Sequence, residues 1–196
     1  MEKILDICKE IIQSPYPALI ARYLLLMIPI VIIHELGHIF AIGTVRELWV
    51  QEVEIGWGIP FKKVIKNKSG NNVHITLRLP FVIVGKTRCP VAYLEGNRWQ
   101  NLKLLWVSIA GPLFQFILLV LTVYAGAMTT NLAVRDLLTD AVTINFLTLI
   151  VNLIPIKYFN TDGFKVLACL KYEFNRRGVL DNKSYAGGGH RYSMFD

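Results

Sequence analysis

This chain is short of charge. Asp, Glu, Lys and Arg make up 18% of its 196 residues while hydrophobic residues make up 54%, against an ordinary charged share of about 25%. That balance disfavours a soluble protein and favours one that lives in a bilayer. Cysteine is equally sparse. Cys8, Cys89 and Cys169 are odd in number and form no CxxC pair, which supports neither a disulfide framework nor a cysteine metal site. The basic residues give a net charge of +7 but do not interleave with aromatics along a polar face, so nucleic acid ranks last among partners. No internal repeat is present. Met1 to Pro17 mixes Lys3 and Lys9 with Glu2, Asp6 and Glu10, which reads as a retained amphipathic lead rather than a cleavable signal.

The apolar residues fall in three long runs. Leu19 to Ile42 supplies 24 positions, enough for the roughly 20 that a spanning helix needs. Arg22 near its outer end can snorkel, and Pro29 predicts a bend because it removes a backbone donor. Leu104 to Met128 carries no charge and a single amide, Gln115. Ala141 to Ile156 is shorter, unless Leu137 to Asp140 join it. Its Asn145, Thr148 and Asn152 recur at i, i+3 and i+7, placing a polar stripe on one face that belongs against protein or a wet cavity. Thr129 to Asp140 reads as a connection. Phe164 to Glu173 reads as an amphipathic helix, and 176–196 as a flexible tail.

Between the first two runs the period changes from helical to alternating. Val73, Ile75, Leu77 and Leu79 alternate with His74, Thr76 and Arg78, the pattern of a half-buried strand. A small antiparallel β insertion at about 46–90 follows, with Leu79 to Gly85 as an apolar loop. The fold class is therefore an α-helical polytopic membrane protein with three core transmembrane helices and this cytoplasmic sheet. Residues 1–17 form the lead and 18–175 the single domain.

His34-Glu35-Leu36-Gly37-His38 stands within the first span. Residues four apart lie on one helix face, so His34 and His38 can share one zinc ion while Glu35 takes a proton from the attacking water. A catalytic zinc needs a third protein ligand. Asp162, Glu47, Glu52, Glu54 and His74 are the candidates, and Asp162 is favoured because it follows the span with the polar stripe. His74 falls on the polar face of its strand. Gly37 lets another backbone come close.

Lys and Arg set the orientation. With three spans, the sheet side holds sixteen of them (nine in 43–102, seven after Ile156), and the other side holds Lys3, Lys9 and Arg135. The sheet side is then cytoplasmic, and both His34/His38 and Asp162 come out near that face.

Taken together, these motifs resemble the site-2 protease family of intramembrane zinc metalloproteases. His34 to His38 resembles its first motif, and Gly56-Trp57-Gly58-Ile59-Pro60 with the strand at 73–79 and Leu79-Pro80 resembles its β insertion. Ala110-Gly111-Pro112-Leu113-Phe114-Gln115 resembles its Ala-Gly-Pro helix, with Gln where the family usually has Asn. Asn152-Leu153-Ile154-Pro155 followed by Asp162-Gly163 resembles its third motif, at an interval about two residues longer. The resemblance implies that Asp162 is the third zinc ligand and Glu35 the catalytic base. Gln115 and Asn152 then contact substrate.

It further implies a multi-pass protein of the cell membrane that cuts a membrane-protein or membrane-peptide substrate in or beside its own transmembrane segment. A regulatory membrane partner goes with the lack of a sensor domain, and an exposed sheet edge is expected to hold the unwound substrate. The alternatives are another membrane HExxH peptidase with a glutamate as third ligand, or a non-catalytic membrane assembly protein.

Overall fold

The computed structural model describes residues 16–45, 48–66, 70–88, 98–158 and 161–179. Its elements are α1 (Tyr16–Thr44), β1 (Glu52–Lys66), β2 (Asn72–Arg88), α2 (Arg98–Met128), α3 (Leu132–Leu153) and α4 (Asp162–Val179). Among them α1, α2 and α3 are long and apolar enough to cross a membrane. Even α3, with 22 residues, extends about 33 Å at 1.5 Å per residue, which matches the roughly 30 Å hydrocarbon core.

The bundle is apolar outside and encloses a cluster of polar side chains. Phe116, Ile117, Val120 and Leu121 on α2, and Phe146, Leu147 and Val151 on α3, are exposed. The buried side chains include His34, Glu35, His38, Gln115, Asn145 and Asp162. A soluble domain would invert this arrangement, whereas lipid covers apolar surface and polar groups must satisfy one another inside. Gly37 does what its position suggests: a Cβ there would overlap the Ala110 carbonyl, so its absence lets α1 and α2 touch backbone to backbone. α1 continues through Pro29.

Four features differ from the sequence reading. First, α3 starts at Leu132, leaving Thr129 to Asn131 as the connection. The Asn131 side chain accepts from Val134 N and caps the helix, and Asp140 pairs with Arg22 of α1 at 2.6 Å. Arg22 is thus ion-paired rather than simply snorkelling, and its partner carries the helix through residues that looked too polar for a span.

Second, the sheet is more than a hairpin. Gly56 and Gly58 take positive φ values of 94° and 128°, which only glycine adopts freely, and they bend β1. Its outer part pairs with β2 as an antiparallel hairpin, from Trp57 opposite Phe81 to Lys66 opposite Asn72. Its first four residues, Glu52 to Ile55, lie between two stretches of β2. They run against Arg88 to Gly85 on one side and beside His74 to Leu77, in rising register, on the other. Four segments result, in the order 85–88, 52–55, 74–77, 61–64. The antiparallel expectation holds for two of the three pairings. Third, the apolar stretch 79–85 is strand, not loop. Fourth, α4 runs to Val179, so 176–179 are helical; residues 1–15 and 180–196 of the proposed lead and tail lie outside the described residues.

Candidate metal centre

Helical spacing on α1 brings His34 Nε2 and His38 Nε2 to 3.1 Å of each other. Asp162, the first residue of α4, places Oδ2 at 2.8 Å from the first and 3.2 Å from the second. Two ligands of one tetrahedral zinc, each bonded at about 2.0–2.2 Å, stand about 3.3 Å apart. These three atoms, all on buried side chains, therefore converge at close to ligand spacing. His34, Glu35 and His38 also form a buried group that could hold a metal ion, with ligand atoms within 4.8 Å of one another. The set containing Asp162 is the tighter of the two.

The far sides of both imidazoles are fixed. His38 Nδ1 donates to the Val107 carbonyl at 2.7 Å, and His34 Nδ1 donates to Gln115 Oε1 at 2.9 Å. Gln115 is oriented in turn by its Nε2, which donates to the Asn145 carbonyl at 3.2 Å and to Thr148 Oγ1 at 2.7 Å. With protons on both Nδ1 atoms, both Nε2 atoms present lone pairs towards Asp162 Oδ2. Three acceptors meeting in a buried space need a proton or a metal ion between them, and orienting partners of this kind accompany metal-bound histidine. The residues present fit a zinc ion.

Two glycines and a threonine make the room. A Cβ on Gly111 of α2 would lie 2.9 Å from His34 Nε2 and closer still to His38 Nε2, so the missing side chain leaves open the space the donors face. A Cβ on Gly163 would overlap the Leu153 carbonyl, so glycine lets the start of α4 press against the end of α3. Thr161 caps α4: its Oγ1 accepts from Phe164 N at 3.4 Å and from Ile156 N at 3.1 Å, and donates to the Ile154 carbonyl at 2.6 Å. Asp162 is therefore not the cap but the first helical residue. Lys165 Nζ reaches Oδ1 at 2.8 Å, leaving Oδ2 for the histidines.

Glu35 is buried beside the histidines. Its Oε2 accepts a hydrogen bond from Thr87 Oγ1 of β2, and its carboxylate packs where a Cβ of Gly85 would stand. A cleft of about 300 Å³ between α2, the end of α3 and α4 has Asp162 in an otherwise apolar wall that includes Ile109, Pro112, Leu153 and Val166.

The other third-ligand candidates are elsewhere. Glu52 and Glu54 pair with Arg88 and Arg78 across the sheet, His74 is exposed, and Glu47 lies outside the described residues. Asn145, Thr148 and Asn152 all meet Gln115, with Asn152 Nδ2 at 3.4 Å from Gln115 Oε1. Gln115 itself is fully buried and bonded through both ends of its amide. Sequence reasoning missed Thr87, Gly85 and Thr161, and had Gly111 only as part of the Ala-Gly-Pro motif. Only Thr161 carried a local signal, a threonine just before a helix whose first residue is acidic.

Comparison with protein-family models, curated proteins and solved structures returns no match.

Proposed function

We propose that the protein is an intramembrane zinc endopeptidase of the site-2 protease type. The observation that carries this reading is the convergence of His34 Nε2, His38 Nε2 and Asp162 Oδ2 within 3.2 Å, with a buried glutamate next to the first histidine. His34, His38 and Asp162 would hold one zinc ion. Bound there, zinc would lower the pKa of a water towards about 7 and polarise the scissile carbonyl. Glu35 takes the proton from the attacking water as its oxygen adds to the scissile carbonyl carbon, and passes it to the leaving nitrogen, so that the peptide C–N bond breaks as the carbonyl re-forms. Gln115 and Val107 hold the imidazoles with Nε2 inward throughout.

The substrate is a membrane protein or membrane peptide. The 85–88 segment is an edge of the sheet among the described residues and lies against Glu35, which suits it to hold an unwound substrate strand by main-chain hydrogen bonds. The apolar cleft beside Asp162 suits the side chains of a former membrane helix, with Asn152 at the near end of α3. The excess of Lys and Arg on the sheet side orients the site towards the cytoplasmic face of the cell membrane.

The test uses Glu35→Gln as a trap. The variant keeps its zinc and co-purifies with uncut substrate, identified by mass spectrometry. Co-expressed with the wild type, that substrate is cut in or beside its transmembrane segment; with Glu35→Gln, cleavage falls by the roughly 10²–10⁴-fold that a general base contributes. Equal cleavage by the two proteins would overturn the proposal.

A further inference from the structure

Resting on the protease reading, we infer that Thr87, seated by the sheet, is the positioning residue for Glu35. A carboxylate on a helix can swing about its side-chain torsions, and a base that acts in one direction must be held. Helix α1 offers no such restraint on the Glu35 tip: the histidines at 34 and 38 are turned to Asp162, Gln115 and Val107. The restraint comes from β2, 52 residues away in sequence. Thr87 Oγ1 donates to Glu35 Oε2, which leaves Oε1 as the oxygen free to accept a proton.

The strand is built for this contact. Residues two apart on a strand share a face, so Gly85 and Thr87 both present to Glu35 while Lys86 turns away. At 85 a Cβ would stand 2.7 Å from the Glu35 carboxyl carbon and nearer its Oε1, so any larger residue would push the carboxylate out of this position. At 87 a hydroxyl supplies the donor. The backbone of this pair is fixed by its register on β1, Gly85 opposite Ile55 and Thr87 opposite Val53. The sheet thus does more than offer an edge: it sets the direction of the base. Displacing the 85–88 segment would release Glu35 without touching a metal ligand.

Two measurements test this. The first uses metal-free protein in detergent micelles, with melting followed by circular dichroism, for wild type, Thr87→Val, Glu35→Ala and the double variant. Thr87→Val is expected to lower the melting temperature by about 2–4 °C in the wild-type background and to change nothing in the Glu35→Ala background, since the partner is already gone. Equal shifts in both backgrounds would overturn the contact. The second measures kcat on the membrane substrate captured by Glu35→Gln. Thr87→Val is expected to lose about tenfold to a hundredfold in kcat, part of what a general base supplies, with KM and zinc content unchanged, and Thr87→Ser to remain near wild type. Unchanged kcat in Thr87→Val, or an equal loss in Thr87→Ser, would overturn the positioning role. A wild type that cuts nothing removes the protease reading and the positioning role together, whereas equal melting shifts remove the contact alone.

Discussion

Gly111→Ala is expected to abolish metal binding although it alters no ligand. The added methyl group would sit 2.9 Å from His34 Nε2 and closer to His38 Nε2, on the side from which both donors face the shared space. Neither ring can retreat. His38 is tied through Nδ1 to a backbone carbonyl of α2, the helix that carries Gly111, and His34 is tied to Gln115 on the same helix. The methyl and the rings therefore move as one body, and only a separation of α1 from α2 relieves the overlap. That separation would give up the close packing of α1 on α2 at Gly37, where the two backbones touch across the Ala110 carbonyl. Zinc affinity should fall by more than the about 10–100-fold typical of losing an orienting partner. Zinc content by mass spectrometry measures this, with helix content as the control for folding. Gly126→Ala on the same helix, whose nearest neighbour would be Leu138 Cβ at 3.8 Å, should keep full zinc.

Asp162→Ala is expected to have the second large effect. Its carboxylate is the negative charge bridging the two imidazoles, and two neutral nitrogens in a low-dielectric bundle hold a dication poorly. The change also frees Lys165, whose ammonium lies 2.8 Å from Asp162 Oδ1. An unpaired cation at the edge of the site opposes the metal further. Zinc should be lost and cleavage with it, while Glu35→Gln loses cleavage and keeps zinc. If Asp162→Ala retained stoichiometric zinc, the third ligand would lie elsewhere, and Glu35 would be the first alternative, since it completes the looser donor set.

What could be read from the sequence was local. The spans follow from apolar length, His34 and His38 from helical spacing, the meeting of Asn145, Thr148 and Asn152 from the same period, and the close approach at Gly37 from its lack of a side chain. What could not be read depends on partners far apart in the chain. The start of α3 needed Arg22 to pair with Asp140. The sheet order needed the bend at Gly56 and Gly58. The hydrogen bond from Thr87 to Glu35 needed the sheet to fold back onto α1, and the opening at Gly111 needed α2 to lie against the histidine face. Gln115 shows the difference well: its type and place were visible, and an amide there suggested substrate contact. Its partners, His34 on one side and α3 on the other, emerge only when three helices pack.

X-ray absorption at the zinc edge of the purified wild-type protein tests the central claim most directly. One zinc ion per chain is predicted, bound by two imidazole nitrogens and a carboxylate oxygen at about 2.0–2.2 Å, with no sulfur neighbour. A chain purified without stoichiometric zinc, or one whose zinc has sulfur at about 2.3 Å, would contradict it.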